Sequence, residues 1–158
     1  MDKNSSGSGA SRSAQEILRF AVRREEKAAH LYSELAERST ALGAKALFRE
    51  LQAEEVKHTA LLEEIASGQS EVMVLHPLPD LKISDYLVDE PISAESHFQE
   101  ILIFAAKKEA HASALYSVLQ DHAVNPEHRR LFEFLAQEEK RHKLRLEQEY
   151  ERHVLEED

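Results

Sequence analysis

Residues 47–64 read LFRELQAEEVKHTALLEE, and 84 positions later residues 131–148 read LFEFLAQEEKRHKLRLEQ. Each copy carries a Glu-Glu-x-x-His motif within leucine and phenylalanine residues at helical spacing, which predicts an amphipathic helix. The second Glu of the motif and the His are three residues apart, so they lie on the same face of that helix. These residues are Glu55 and His58 in the first copy, and Glu139 and His142 in the second.

The repeat extends well beyond this motif. About 20 of the 49 positions in residues 15–63 are identical at the offset of 84, without a gap. The letters QEIL at residues 15–18, for example, return at residues 99–102. A further Glu precedes each motif by 30 residues, as Glu25 in the first copy and Glu109 in the second. Repetition at a fixed period indicates that one structural unit is used twice.

Hydrophobic periodicity predicts two helices in each copy. The four predicted helices run from about residue 14 to 38, from 42 to 66, from 94 to 122 and from 125 to 154. Predicted N-terminal caps are Ser13 with Glu16 for the first helix, Ser93 or Ser96 for the third, and Asn125 before Pro126 for the fourth. Gly68 is expected just past the end of the second helix.

The connections between these helices predict the topology. Loops of a few residues make each copy an antiparallel helical hairpin. The copies are joined by a longer crossover, about residues 67–92, whose apolar residues such as Val72 and Val74 are expected to pack. A helix of about 25 residues is roughly 37 Å long, and a crossover of this size can run back along it. Such a crossover is needed when the second and third helices run parallel, and it is not needed in an up-down-up-down bundle.

The predicted organisation is therefore one all-α domain after a short tail. Residues 1–12 are polar and rich in Ser and Gly, which predicts a disordered tail. Residues 13–158 are expected to form a four-helix bundle built from two repeated hairpins, at about 13–66 and 93–154.

Each Glu and His singled out above interrupts an apolar stripe, which points to a metal site. Four carboxylates and two imidazoles would enter one core, and burying that charge is prohibitive without compensation. Two divalent cations would balance four carboxylates, and oxygen-rich ligation with one imidazole per metal suits iron or manganese better than structural zinc. Glu-x-x-His alone is a weak signal, but its placement in both apolar stripes is specific. The alternative interpretations are a solvated helix face and a metal-free core.

Composition excludes several other classes of site and partner. The chain has no Cys, which excludes disulfides, zinc–thiolate sites, iron–sulfur clusters and thiol catalysis. A net charge of -10 argues against nucleic acid as a partner, because phosphates would be repelled. No apolar run approaches the roughly 18 residues of a membrane span, and the N-terminus lacks the apolar stretch of a signal peptide. We therefore expect a cytoplasmic protein that binds neither nucleic acid nor a membrane.

The order Glu, Glu-x-x-His, Glu, Glu-x-x-His on four successive helices resembles the ferritin-like diiron carboxylate proteins. Within them it is most similar to the diiron domain of rubrerythrin, and the spacing from Glu25 to Tyr32 and from Glu109 to Tyr116 shares that similarity. The resemblance covers nearly all of the chain after the tail. It implies a ferritin-like four-helix bundle that binds two iron ions per chain, with manganese or a mixed pair as alternatives.

The resemblance also assigns roles. It implies that Glu55 and Glu139 bridge the irons, and that Glu25 and Glu109 are terminal carboxylates. His58 and His142 then bind one iron each, and no catalytic residue is expected beyond these six ligands.

Tyr32 and Tyr116 are the remaining candidates near the ligands. They are expected to hydrogen-bond a ligand carboxylate, or to relay a proton or an electron, rather than to bind metal. The alternative is that both are core aromatic residues whose hydroxyl groups find some other partner.

Two features depart from the family pattern. Rubrerythrins carry a cysteine-ligated rubredoxin domain that supplies electrons, and this chain has no Cys. They also carry an extra Glu three residues after the ligand in the third helix, and Ala112 stands at that position. The first departure implies that electrons come from a separate donor protein or a small reductant.

The resulting functional prediction is a non-haem diiron oxidoreductase that reduces hydrogen peroxide or dioxygen, and works as a homodimer with an external electron donor. A ferroxidase or iron-handling protein with the same six ligands is the first alternative. A non-catalytic helical bundle stabilised by its metal is the second.

Overall fold

The computed structural model describes residues 13–69, 71–78 and 96–157. The predicted tail, the larger part of the predicted crossover, the candidate cap Ser93 and Ala94 lie outside the described residues. All regular elements that the model describes are helices, which we number α1 to α4. They are α1 at Ala14–Arg38, α2 at Leu42–Ala66, α3 at Phe98–His122 and α4 at Pro126–Glu157. They fall into two compact units, one holding α1 and α2 and the other α3 and α4.

The first unit is an antiparallel hairpin, as the short loop at residues 39–41 predicts. The Gln15 side-chain amide donates to the Ala66 carbonyl at 2.8 Å, which ties the start of α1 to the end of α2. Large apolar side chains at helical spacing on both helices are almost completely buried, because each helix turns one stripe away from water. They include Ile17, Leu18, Leu35, Phe48, Leu51 and Leu62.

The second unit repeats this arrangement. Residues 123–125 join α3 to α4. The Ser113 hydroxyl donates to the Ala136 carbonyl at 2.9 Å, midway along the pair. At the open end the rings of Phe98 and His153 lie 4.8 Å apart, centroid to centroid, so α3 and α4 also run antiparallel. The buried apolar side chains include Ile101, Leu102, Leu115, Leu119, Phe132, Leu135 and Leu146.

The predicted helix boundaries are confirmed for α1 and α2, and the predicted start of the third helix is wrong. Ser96 is a bend outside the helix, and α3 begins at Phe98. The cause is local, because the Glu100 carboxylate accepts from the backbone N–H of His97 at 3.2 Å. Glu16 accepts from the N–H of Ser13 in the same way at the start of α1. The repeat therefore extends to the helix start.

The residues predicted to begin α4 and to follow α2 lie at those helix ends. The Asn125 side chain accepts from the N–H of Glu127 at 2.7 Å, which confirms it as the cap of α4. Gly68 follows α2 with a φ of 82°, a conformation that glycine adopts without a steric cost. The fourth helix continues to Glu157, past the predicted end near Val154. No Gly or Pro follows Val154 to stop it.

The described part of the crossover corrects one expectation. Val72 and Val74 are 76% and 54% exposed, so they do not pack as predicted. Met73 between them is 4% exposed and is the buried residue of this stretch. None of the helices described combines the length and the apolar character required to cross a bilayer.

Candidate metal centre

Three of the predicted ligands come together within the first unit, and we call Glu25, Glu55 and His58 the first triad. Glu25 lies on α1, while Glu55 and His58 lie one turn apart on the facing side of α2. All three are buried, with exposed fractions of 0%, 0% and 2%. One donor atom from each lies within 4.8 Å of the others.

The His58 ring lies between the two carboxylates and is hydrogen-bonded to one of them, at Oε1 of Glu25. Its Nδ1 lies 3.0 Å from Glu25 Oε1 and 3.0 Å from Glu55 Oε1. One nitrogen atom thus approaches both acids at hydrogen-bond distance. This convergence follows from helix geometry, because Glu55 and His58 project from the same face.

The second triad consists of Glu109 on α3 with Glu139 and His142 on α4, and it repeats the first. Their exposed fractions are 1%, 0% and 1%. His142 Nδ1 lies 3.4 Å from Glu139 Oε1 and 3.8 Å from Glu109 Oε2. The structure therefore gathers the three predicted side chains of each copy, while their role as metal ligands stays a prediction.

A basic residue that the sequence reasoning missed also lies in the first triad. Arg24 is 8% exposed, and its NH1 group donates to Oε2 of Glu25 and, at 3.1 Å, to Oε2 of Glu55. Nothing in the hydrophobic pattern shows where so long a side chain goes. A signal was nevertheless present, because the position repeats as Lys108 and is basic in both copies.

The electrostatics of Glu25 reflect these neighbours. Burial is the largest single influence and by itself raises the pKa of Glu25. The Arg24 charge and the hydrogen bond and charge of His58 act in the opposite direction. Together they outweigh burial, so the pKa of Glu25 lies below its ordinary value of 4.5 and the side chain is a carboxylate at neutral pH.

Tyr32 and Tyr116, the two tyrosines predicted to lie near the ligands, are each buried in the core of their own unit. Tyr32 is 1% exposed and Tyr116 is 0% exposed. The ring of Tyr116 stacks on Phe132, with centroids 6.3 Å apart and planes inclined by 13°. This stacking accounts for the ring as core packing, and the expected contact with a ligand carboxylate stays a prediction.

The donor set of the triads fits a pair of divalent iron or manganese ions. Each triad offers two buried carboxylates and one imidazole, the mixture of oxygen and nitrogen donors that these metals accept. Buried carboxylates require cations nearby, and in the first triad Arg24 already supplies one positive charge.

Known proteins place this arrangement in context. A structure of a hypothetical protein from Pyrococcus furiosus matches with a TM-score of 0.70 and 29% identity, over 88% of this chain and 89% of that one. A protein from Thermotoga maritima, described as a candidate ferritin-like diiron-carboxylate protein, matches with a TM-score of 0.66 and 22% identity, over 89% and 95%. Among curated proteins no match reaches significance.

These structural matches confirm the predicted fold class, an all-α, ferritin-like four-helix bundle. The sequence itself matches the family model of rubrerythrin over residues 16–151, a range that includes both triads and all but the ends of the helical region. A match of this extent settles the family, and the chain belongs to the rubrerythrin family.

Proposed function

We propose that this protein is a non-haem diiron oxidoreductase that reduces hydrogen peroxide, with each triad binding one iron. The observation that carries the proposal is the repetition of the same three buried side chains in both units of a rubrerythrin-family chain. Dioxygen is the alternative oxidant at the same site.

Charge supports two metals rather than one. The two triads together contain four carboxylates, from Glu25, Glu55, Glu109 and Glu139. Two divalent cations bring four positive charges and leave the ligand set close to neutral, which lowers the free-energy cost of burying the carboxylates. A single divalent cation would leave two of the four carboxylate charges for other groups to balance, and Arg24 supplies one positive charge.

The chain's own residues position the reaction and keep water out. Irons bound to the triads would supply the two electrons that, with two protons from solvent, reduce one peroxide molecule to two water molecules. Glu55 and His58 are fixed on one face of α2, and the fully buried Leu51 and Leu62 lie one turn to either side of them. His142 is held in the same way between Leu135 and Leu146 on α4. These leucines shield the polar groups from solvent, which strengthens every electrostatic interaction among them.

The reductant has to come from outside the chain. With no Cys, these 158 residues contain no thiol or cysteine-bound iron centre that could pass electrons to the triads. We therefore include in the proposal a separate electron-donor protein or a small reductant, and a homodimer as the working form.

A ferroxidase is the second candidate, and one observation favours it. Ala112 lies on α3 where rubrerythrins carry the extra Glu that serves peroxide turnover, and it is 3% exposed. A methyl group buried at that position supplies no carboxylate. The six ligands are the same in both candidates, so reaction rates have to separate them.

The deciding experiment is an anaerobic titration of metal-free protein with ferrous iron, followed by rapid mixing with peroxide and, separately, with dioxygen. We expect two irons per chain and faster oxidation by peroxide. Faster oxidation by dioxygen, with turnover of added iron, would instead establish the ferroxidase.

Three variants control this titration. Glu55→Ala and Glu139→Ala remove one buried ligand from each triad and are expected to reduce iron binding. Glu64→Ala removes an exposed carboxylate from the same helix as Glu55 and is expected to bind iron as the unaltered protein does. Failure to bind iron, or binding unchanged in both ligand variants, would refute the diiron site itself.

A further inference from the structure

The guanidinium group of Arg24 lies against both carboxylates of the first triad. Its NH1 atom alone contacts both carboxylates, at Oε2 of Glu25 and at Oε2 of Glu55. The other oxygen of each carboxylate, Oε1, faces His58 Nδ1. Three of the four carboxylate oxygens of the first triad are therefore hydrogen-bonded by groups of the chain itself, and the fourth, Oε1 of Glu55, lies near His58 Nδ1 without a hydrogen bond to it.

The burial of Arg24 makes this contact energetically significant. At 8% exposure the guanidinium has little water around it, and its partners have none. A charge pair in such surroundings is strong, and breaking it by removing one member leaves the other uncompensated. Arg24 therefore performs part of the neutralisation that a metal would perform at Glu25 and Glu55.

The repeat provides an internal comparison in Lys108, the counterpart of Arg24. Lys108 places its Nζ 5.2 Å from the centre of the Phe104 ring, one helical turn earlier on α3. An ammonium over an aromatic face is stabilised by the ring itself. The two basic positions are thus equivalent in sequence and differ in their chemistry.

We propose that Arg24 is a built-in competitor for metal at the first triad. It holds Glu25 and Glu55 together in the metal-free protein, and it has to withdraw from them when a metal ion binds. The reason is that both cations need the same carboxylate oxygens, and two positive groups side by side repel each other in a medium of low dielectric. This inference rests on the proposed function, since it assumes that the first triad is a metal position.

Two consequences follow for the protein in solution. Metal affinity at the first triad is lower than its ligands alone would give, because binding includes the loss of the Arg24 contacts. The metal-free protein is also more stable than it would be with a neutral residue at position 24, because its buried carboxylates already have a cation. Arg24 therefore lowers the affinity of the first triad for metal and raises the stability of the metal-free protein.

The test compares Arg24→Gln with the unaltered protein and with Lys108→Gln as the matched control. Each metal-free protein is titrated anaerobically with ferrous iron by calorimetry, which gives the stoichiometry and the affinity of each step. Thermal unfolding is measured with and without iron. Arg24→Lys serves as a second variant if Arg24→Gln does not fold, because it keeps the charge and loses the planar donors.

We expect Arg24→Gln to unfold at a lower temperature without iron, and to bind iron at least about tenfold more tightly at one step. One iron bound by the unaltered protein and two by Arg24→Gln would be the same effect in a stronger form. Arg24→Lys is expected to lie between the two, and Lys108→Gln to change iron affinity less than Arg24→Gln.

Unchanged or weaker binding in Arg24→Gln would overturn the competitor role. If Arg24→Gln does not fold, weaker iron binding in Arg24→Lys than in the unaltered protein would overturn it. In both cases two irons per chain would leave the proposed function standing. Iron binding by none of the proteins would instead refute the proposed function. The two failures are therefore distinguishable in one set of titrations.

Discussion

A carboxylate buried inside a helical hairpin needs neighbouring groups that offset the cost of removing its charge from water, and each of the four buried Glu ligand candidates has a basic or imidazole side chain nearby. In the first triad Glu25 and Glu55 share Arg24 on one side and His58 on the other. Without such partners, Glu25 and Glu55 would destabilise the core. A leucine at either position would bury apolar surface without the cost of desolvating a charge. Packing alone does not account for their cost to folding, whereas the proposed metal site does.

After the six predicted ligands, the residue whose identity is most informative is Ala112. Replacing it by Glu restores the carboxylate that rubrerythrins carry at this position. Because the site is 3% exposed, we expect Ala112→Glu to destabilise the metal-free protein, and to speed the oxidation of the iron-loaded protein by peroxide. Stopped-flow absorbance after mixing with peroxide measures the rate, and thermal unfolding measures the stability.

Ala28 supplies the control for this prediction, because it is the counterpart of Ala112 in the first copy and is 2% exposed. Ala28→Glu buries an equal charge and is expected to destabilise the protein without the gain in rate. If Ala112→Glu still binds two irons but reacts no faster than the unaltered protein, the missing Glu is not what limits peroxide turnover.

The sequence predicted that the triad side chains are buried near one another and did not predict the position of Arg24, and both outcomes have the same physical reason. A Glu or His inside an apolar stripe is visible because the helical period fixes the direction of its side chain. Arg24 has four rotatable bonds between its backbone and its charge, so its direction is not set by position alone. Its destination depends on the three-dimensional placement of Glu55, which is 31 residues away in sequence.

At the scale of the helices, local chemistry decides the boundaries. The start of α1 is fixed reciprocally, because the Ser13 hydroxyl accepts from the N–H of Glu16 and the Glu16 carboxylate accepts from the N–H of Ser13. The start of α3 was predicted too early because Ser93 and Ser96 are good cap residues by type. The repeat pointed instead to His97, which is the counterpart of Ser13.

Removing the Ser13 hydroxyl should measure the value of this cap. We expect Ser13→Ala to lower the free energy of unfolding by about 1 kcal/mol, because the N–H of Glu16 loses its acceptor. Urea unfolding followed by circular dichroism checks the size of the effect. Ser13→Asp keeps an acceptor and should retain the stability, and an equal loss in both variants would show that the cap is not the cause.

The ion pair between Glu37 and Arg49 bridges the turn end of the first hairpin, with Arg49 NH2 2.8 Å from Glu37 Oε1. The hydrogen bond and charge of Arg49 lower the pKa of Glu37 below 4.5. The ion pair therefore contributes to stability at a pH above the pKa that Glu37 has in the unfolded chain. This contribution is lost as the pH falls through the lower pKa that Glu37 has in the folded protein. Because both side chains are exposed, the contribution is small and screened by salt.

Thermal unfolding of Glu37→Gln tests this sign. At pH 7 and low salt the variant should unfold slightly below the unaltered protein. The difference should disappear at a pH below the folded pKa of Glu37, and also in about 1 M salt, where the screening length is about 3 Å. A difference that grows as the pH falls would contradict the assignment of the ion pair.

At the scale of the whole molecule, the repeat carried most of the information. Equivalent residues at a constant offset predicted two hairpins, and the structure forms α1 with α2 and α3 with α4 as separate compact units. The crossover was harder to predict, because the consecutive residues Val72, Met73 and Val74 are all apolar and only Met73 is buried. Which of them faces the protein depends on the path of the chain, and no helical period fixes that path.

Metal binding should stabilise the entire chain, since a ligand that binds only the folded state shifts the unfolding equilibrium. The metal-free protein carries a formal net charge of -10, and two divalent cations bound without proton release would reduce it to about -6. At a free iron concentration of about 100 times the dissociation constant, each site should add about 2.7 kcal/mol to the free energy of unfolding. Differential scanning calorimetry under anaerobic conditions, with and without ferrous iron, measures the gain. Glu139→Ala should lose much of that gain and Glu64→Ala none of it, whereas an unfolding temperature that does not respond to iron would show that the folded triads do not bind it.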